Sequence, residues 1–351
     1  MVFRKGGKLA KGDKWWYKNE RIEVVSYYKY LGVIFTSNLS WEPHFIEKAR
    51  IAKLAINSIW SSLIKNNSVP LSAKLTCFNA TIRSVLCYGA EVWGFIDSNT
   101  IEFVQKLFIK KLFCLPINTP NYILYLESGF TKIHFYTLSL NSNYIAKSLT
   151  MSVDRLPNKM AKLIVNKNIF WCKEWRQKGL ESGIFLDFNV NDPVSLHSQL
   201  LSVVQGSHER WRMDCEGRAR TSVYHQQYLQ LDFQSQLDDR NFLTADATDL
   251  NSISWIMKAR GELIHLNYKP WVEGNIHLCS LCNLQEVEST YHFIARCPVL
   301  AGIRKRFLSK LYLERNEYFN ILNGRGDWRA LVKYLKSAWV SRWDLIQEFN
   351  Y

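Results

Sequence analysis

Polar and apolar residues follow a period near two only at the start of the chain. Lys14-Trp-Trp-Tyr-Lys18, a polar Asn19-Glu20 step, Arg21-Ile-Glu-Val-Val25 and Tyr28-Lys-Tyr-Leu-Gly-Val-Ile-Phe35 are short runs rich in β-formers. They predict two or three short antiparallel strands. From Pro43 the period lengthens: Ile46, Ala49, Ile51, Leu54, Ala55, Ile59 and Leu63 recur at helical spacing and predict an amphipathic helix ending near Lys65-Asn66-Asn67-Ser68. Pro70 opens a second helix expected to run to about Trp93, and a third is expected from about Thr100 to Cys114, before Pro116. Short turns between them favour an antiparallel bundle packed on the small sheet. Beyond Pro120, helical segments are expected near 120–128, 133–150, 156–178 and 193–215, then over 252–268, 301–313 and 328–349. Gly, Asn and Asp gather between about Leu180 and Pro193, where a domain boundary is expected. The predicted class is mostly α with a small N-terminal antiparallel β element (α+β). It comprises strands over 1–42, a helical bundle over 43–120, a helical linker over 121–250 and a C-terminal module over 251–351.

Composition adds a direction. A chain of 351 residues that is 47% hydrophobic and 14% aromatic can bury a real core. Its net charge of +14 is unevenly spread: residues 1–115 carry 17 basic and 8 acidic side chains, 116–299 carry 18 of each, and 300–351 carry 10 and 5. Excess cation at both ends points to a polyanionic partner, with ordinary solvated helix faces as the plain alternative. No apolar run reaches membrane length and the first residues form no apolar signal segment, so the reading is soluble, non-membrane and intracellular, cytosolic or nuclear. The eight cysteines are scattered except for the last three, so no disulfide framework is indicated.

Those last three give the most specific local signal, Cys279-x2-Cys282-x9-His292-x4-Cys297. Zinc takes four thiolate or imidazole ligands in a tetrahedron, a Cys-x2-Cys turn supplies two from one side, and a short helix begun near Ser289-Thr290 could project His292 and Cys297. His277 is a rival ligand too close to Cys279, and three buried thiols beside a packed imidazole is the bland alternative. A closed site of this kind orders a loop and leaves no position for catalysis. Around it stand Arg296, Arg304, Lys305, Arg306 and Lys310 with Tyr291 and Phe293, the mixture of cation and ring that single strands use; such rings are also ordinary core of a small domain.

Tyr28-Lys-Tyr-Leu-Gly-Val-Ile-Phe35, followed by Leu39-Ser-Trp41 and His44, resembles the segment after the catalytic palm of reverse transcriptases from non-LTR (LINE-type) retrotransposons. Ala80-Thr-Ile-Arg-Ser-Val-Leu-Cys-Tyr-Gly-Ala-Glu-Val-Trp93 is similar to the thumb helix of that family, and 101–116 to the helix after it. The Cys279, Cys282, His292, Cys297 set, preceded by Trp255-x2-Lys-Ala-Arg-Gly261, is similar to its zinc-binding tail. The order matches and covers about half the chain. The resemblance implies a primer grip at Tyr30, Leu31 and Gly32. It implies phosphate contacts at Lys48, Arg50 and Lys53 on the first helix and Lys106, Lys110 and Lys111 on the third; Arg304, Lys305 and Arg306 join them as nucleic-acid contacts on their residue types beside the Cys/His element. Gly32 suits close approach by another backbone, or a plain β-bulge.

The departure from the family concerns catalysis. Its polymerases hold two Mg2+ ions on aspartates in an upstream strand-turn-strand, and no such motif precedes Tyr30; Mg2+ belongs only to that absent palm. Leu237-Asp-Asp-Arg240 is out of place and reads as a loop or helix cap. The expectation is therefore a truncated piece that binds RNA, DNA or an RNA-DNA duplex, carries structural Zn2+, and does not polymerise alone. An enzyme of another kind lacks a convergent motif, and a domesticated helical protein-interaction module without nucleic-acid affinity is the remaining alternative.

Overall fold

A computed structural model of the chain describes residues 2–3, 12, 14–233, 242–243, 249–269 and 277–349. Its strands are β1 (Trp15–Tyr17), β2 (Glu20–Ile22), β3 (Tyr27–Tyr30) and β4 (Val33–Thr36). The helices begin with α1 (Glu42–Ile59), α2 (Leu71–Cys77), α3 (Ser84–Leu86), α4 (Ala90–Trp93), α5 (Asn99–Leu112), α6 (Asn121–Ser128) and α7 (Ile133–Thr150). They continue with α8 (Leu156–Lys167), α9 (Trp171–Glu181), α10 (Pro193–Arg220), α11 (Leu250–Arg260), α12 (Ala301–Leu308), α13 (Arg315–Leu322) and α14 (Trp328–Phe349). The class is the mostly helical α+β arrangement that the change of period predicts. No helix among the described residues is long and apolar enough to cross a membrane.

Packing divides the chain into two compact units. The first takes Met1–Ser62, Leu75–Gln105 and Lys132–Arg210; the second takes Leu63–Lys74, Lys106–Thr131 and Trp211–Tyr351. This differs from four consecutive domains, and the 121–250 stretch is no linker. Leu138, Ile145, Trp175, Leu186, Phe188, Leu196 and Leu200 form one buried cluster in the first unit, so the boundary expected near 180–193 lies inside a core. The Gly, Asn and Asp residues there make turns that return Leu186 and Phe188 to that core.

In the first unit the run Tyr28 to Phe35 is not one strand but most of a hairpin. Tyr27 pairs with Thr36 and Tyr30 with Val33, leaving Leu31-Gly32 as a two-residue turn with φ of 47° and 78°. Positive φ at both positions is the hairpin turn whose twist matches its strands, so Gly32 sits in a turn and not in a β-bulge. The Tyr88 hydroxyl donates to the Leu31 carbonyl at 2.8 Å, and the Tyr88 ring would lie 3.1 Å from any Cβ at Gly32. Lys18-Asn19 closes the β1–β2 hairpin in the same number of residues, with Trp16 opposite Arg21.

α1 packs on β4 and α3. Its first turn holds Pro43, and His44 is buried, with Nε2 3.1 Å from the Tyr88 carbonyl. The helix expected from Pro70 to Trp93 is interrupted: Gly89 adopts φ 75°, and the chain restarts as α4, which packs against α7. The segment expected over 156–178 likewise splits at Asn168 and Phe170, both with positive φ. Polar side chains tie this core together: Trp175 Nε1 donates to Asn141 Oδ1 at 2.8 Å, and Asn141 Nδ2 donates to the Glu91 carbonyl at 2.7 Å.

In the second unit α14 packs on α11 and α12 through buried Leu331, Tyr334, Leu335 and Ala338. Beside that apolar contact lies a buried ion pair, Arg260 Nε to Glu127 Oε2 at 2.6 Å, both side chains sealed from solvent. Tyr228 donates to Glu127 at 3.0 Å, Arg260 also donates to the Asp232 and Leu322 carbonyls, and Tyr318 donates to Gln227 at 2.8 Å. Buried charge survives only when its hydrogen bonds are filled in this way.

Candidate metal centre and basic surface

The segment from His277 to Cys297 folds back on itself before it meets any helix. Leu278 and Val287 form an antiparallel bridge, Cys279 N donates to the Glu286 carbonyl at 2.9 Å, and Glu288 N donates to the His277 carbonyl at 2.8 Å. The loop so closed presents Cys279 and Cys282 from its tip. His292 and Cys297 come from one π-helical turn, His292–Arg296, in which Cys297 N donates to the His292 carbonyl at 2.8 Å. An α-helix would swing residues five apart to different sides; a π turn, bonded at that same interval, returns them to one side. The short helix expected to begin near Ser289-Thr290 is present, and its turn over His292–Arg296 is the wider π form.

All four ligand atoms lie within 4.8 Å of one another and the four residues are buried. Cys279 Sγ is 4.0 Å from Cys297 Sγ, and Cys282 Sγ is 3.5 Å from His292 Nε2. A tetrahedron with Zn–S of 2.3 Å and Zn–N near 2.05 Å has S–S edges of about 3.8 Å and S–N edges of about 3.6 Å. The donor set could hold a metal ion of that size. Without one the groups share protons: donation to Cys297, helped by burial, pushes the Cys279 thiol up to about 12, and Cys297, the acceptor, is lowered. Burial opposes a charged His292, but its bonds to Cys279 and Glu286 outweigh that and raise it.

Partners behind these ligands are well placed. His292 Nδ1 lies 2.8 Å from Glu286 Oε2. A carboxylate only accepts, so Nδ1 carries a proton, and Nε2, on the side of the cysteines, is the ring atom that could bind a metal. Glu288, fully buried at the end of the same loop, is clamped by Arg342 from α14 at 2.6 and 2.8 Å, and Arg342 also reaches Asn267. His277, the rival ligand, instead faces the backbone of Asn267 and Lys269.

Comparison with family models, with curated proteins and with solved structures returned no match.

The predicted phosphate contacts divide. Arg50, Lys53, Lys111, Lys305 and Arg306 are exposed, and Arg50 is already paired with Glu47 at 2.8 Å. Lys106 is half-buried, and Lys110, also half-buried, donates to the Ile117 carbonyl at 2.5 Å. Two assignments fail. Lys48 is buried with its ammonium 4.1 Å above the Tyr88 ring, and burial lowers its pKa. Arg304 is 0% exposed; its guanidinium donates to the carbonyls of Ile294, Cys297 and Leu311. A π turn leaves carbonyls without helical partners, and Arg304 fills them. Tyr30 and Leu31 are exposed on the first unit. Phe293 is buried and Tyr291 packs edge-on against Tyr318, so the rings flanking the metal loop serve as core. Leu237-Asp-Asp-Arg240 lies outside the described residues.

Sequence reasoning missed Glu286, Glu288 and Arg342. An acidic residue six before a ligating His has no fixed spacing rule, and Arg342 is 54 residues from its partner. The first unit also holds an apolar cavity of about 640 Å³ lined by residues such as Phe35, Trp41, Phe95, Ile145 and Trp171, with Glu91, Lys173 and Glu174 its charged groups.

Proposed function

We propose that this chain binds nucleic acid, as RNA, DNA or an RNA-DNA duplex, in the manner of the thumb and tail of a retrotransposon reverse transcriptase. Structural Zn2+ is held by Cys279, Cys282, His292 and Cys297. The observation that carries the reading is the convergence of those four ligands at the place in the chain where the resemblance sets a zinc element. Exposed Lys53, Lys111, Lys305 and Arg306 add cations, while Arg50, also exposed, is paired with Glu47. Such groups position a phosphate backbone and read no sequence. Zinc here would cross-link the loop to the π turn, and the four residues leave no open position for a substrate.

Titration onto a labelled primer-template duplex at several salt concentrations tests this. Log affinity is expected to fall linearly with log salt, by about 0.9 for each phosphate contacted. A flat response sinks the reading and favours a helical protein-interaction module, for which the apolar cavity of the first unit is the supporting feature. With nucleotides and magnesium present no primer extension is expected.

A further inference from the structure

We infer that the two N-terminal hairpins are a stacking platform for single-stranded nucleic acid; the inference rests on the nucleic-acid reading above and specifies which form the strands take. A strand that packs on a core alternates exposed and buried residues. β1, β2 and β3 do not: every residue in them is exposed. Trp15, Trp16, Tyr17, Tyr27, Tyr28 and Tyr30 are each between 37% and 68% exposed, on both faces of their hairpins. Isolated exposed rings are ordinary, but six on two short strands, β1 and β3, form an apolar surface that water solvates poorly.

The company these rings keep selects the occupant. Lys14, Lys18, Arg21 and Lys29 interleave with them and are exposed, against Glu20 and Glu23 as the only acids between Lys14 and Thr36. Arg21 stands across from Trp16, and Lys18 lies 5.7 Å from the centroid of the Tyr17 ring. Rings interleaved with cations suit a chain of flat bases on a phosphate backbone, and a duplex hides the base faces that rings need. Alternate strand positions are about 6.8 Å apart, so Tyr28 and Tyr30, sharing one face, can each take a base of an extended strand. The rings beside the metal loop, by contrast, are spent on packing.

The full chain with zinc bound is titrated with a labelled oligothymidylate of about 15 nucleotides and with a blunt duplex of about 20 base pairs. Wild type is compared with Trp15→Ala/Trp16→Ala and Tyr28→Ala/Tyr30→Ala. Since these side chains are exposed, thermal melting should be unchanged. Each pair is expected to lose at least about 20-fold in oligothymidylate affinity, with duplex affinity within about twofold and the salt slope retained. Tryptophan fluorescence of the wild type should be quenched by the single strand. Equal loss for both probes, or none for either, overturns the inference. So does a wild-type dimer that both variants abolish, because a second copy then covers the rings. If the wild type binds duplex but ignores the single strand, this inference alone falls; if it binds neither, the nucleic-acid reading falls with it.

Discussion

Replacing Glu286 by Ala should weaken zinc binding without dismantling the site. Its carboxylate is 2.8 Å from His292 Nδ1, so it fixes the tautomer and the ring plane while touching none of the metal's own coordination positions. Hydrogen bonds to charged groups contribute about 1.5–3 kcal/mol, and losing such a partner costs about 10- to 100-fold in metal affinity. Glu286 is 47% exposed, so water can take its place, which puts the loss at the low end. About tenfold is expected, or about 1.4 kcal/mol. Glu286→Gln keeps an acceptor and should recover most of it. Affinity is read by competition with a chromophoric chelator, and cobalt substitution reports whether four-coordinate geometry survives. A change under twofold, or a cobalt spectrum as damaged as that of Cys297→Ser, would refute the positioning argument.

Glu127→Ala strands the buried Arg260 guanidinium and should cost about 3–5 kcal/mol in denaturant unfolding, whereas a paired replacement by Leu and Met should recover much of it. A single variant within 1 kcal/mol of wild type would show that the pair is solvated. Burial raises the Glu262 carboxyl from its ordinary 4.5 to about 7, and among the described residues its Oε2 has no hydrogen-bond partner. The folded chain therefore keeps that proton longer than the unfolded one. The penalty is absent below about pH 4.5, grows toward pH 7 and is complete above it, so Glu262→Gln should stabilise by about 3 kcal/mol at pH 8 and by little at pH 4.5. A gain independent of pH would contradict this. Chelating the metal should expose amides of 278–297 to hydrogen exchange while the 133–150 helix stays protected; uniform exchange along the chain would mean that no local cross-link existed.

Periodicity disclosed the helical class and most helix positions, because burial on one side is what periodicity records. It failed where one residue changes direction. Tyr28 to Phe35 reads as continuous strand because the usual Asn-Gly or Asp-Gly signal is replaced by Leu31-Gly32, and a Leu at φ 47° is held by a Tyr88 bond that comes from 57 residues away. Gly89 and Asn168 broke two helices whose apolar spacing continues across the break. At the loop 279–297 the sequence singled out four residues that the fold gathers into a set able to hold a metal ion, because coordination chemistry restricts residue types. The supporting Glu286, Glu288 and Arg342 were not legible, since a buried ion pair has no periodic trace.

The basic excess of the C-terminal segment illustrates how a fold withdraws charge from a count. Arg304 and Arg342 contribute to it, yet both are buried, and Arg342 is matched by Glu288. Among the described residues Arg304 has no carboxylate partner; three carbonyls and the Tyr334 ring, 5.8 Å away, surround it. Carbonyl dipoles can hold such a cation because removing it would orphan Ile294 inside the π turn and Cys297 at its end. Lys305 and Arg306 are its neighbours on α12 and are exposed. One side chain thus joins the backbone of Cys297, a candidate metal ligand, to the helix that presents two exposed cations. If the loop loosens when metal leaves, α12 loses that anchor, and the effect on polynucleotide affinity should run through Lys305 and Arg306 and vanish in a chain already lacking them.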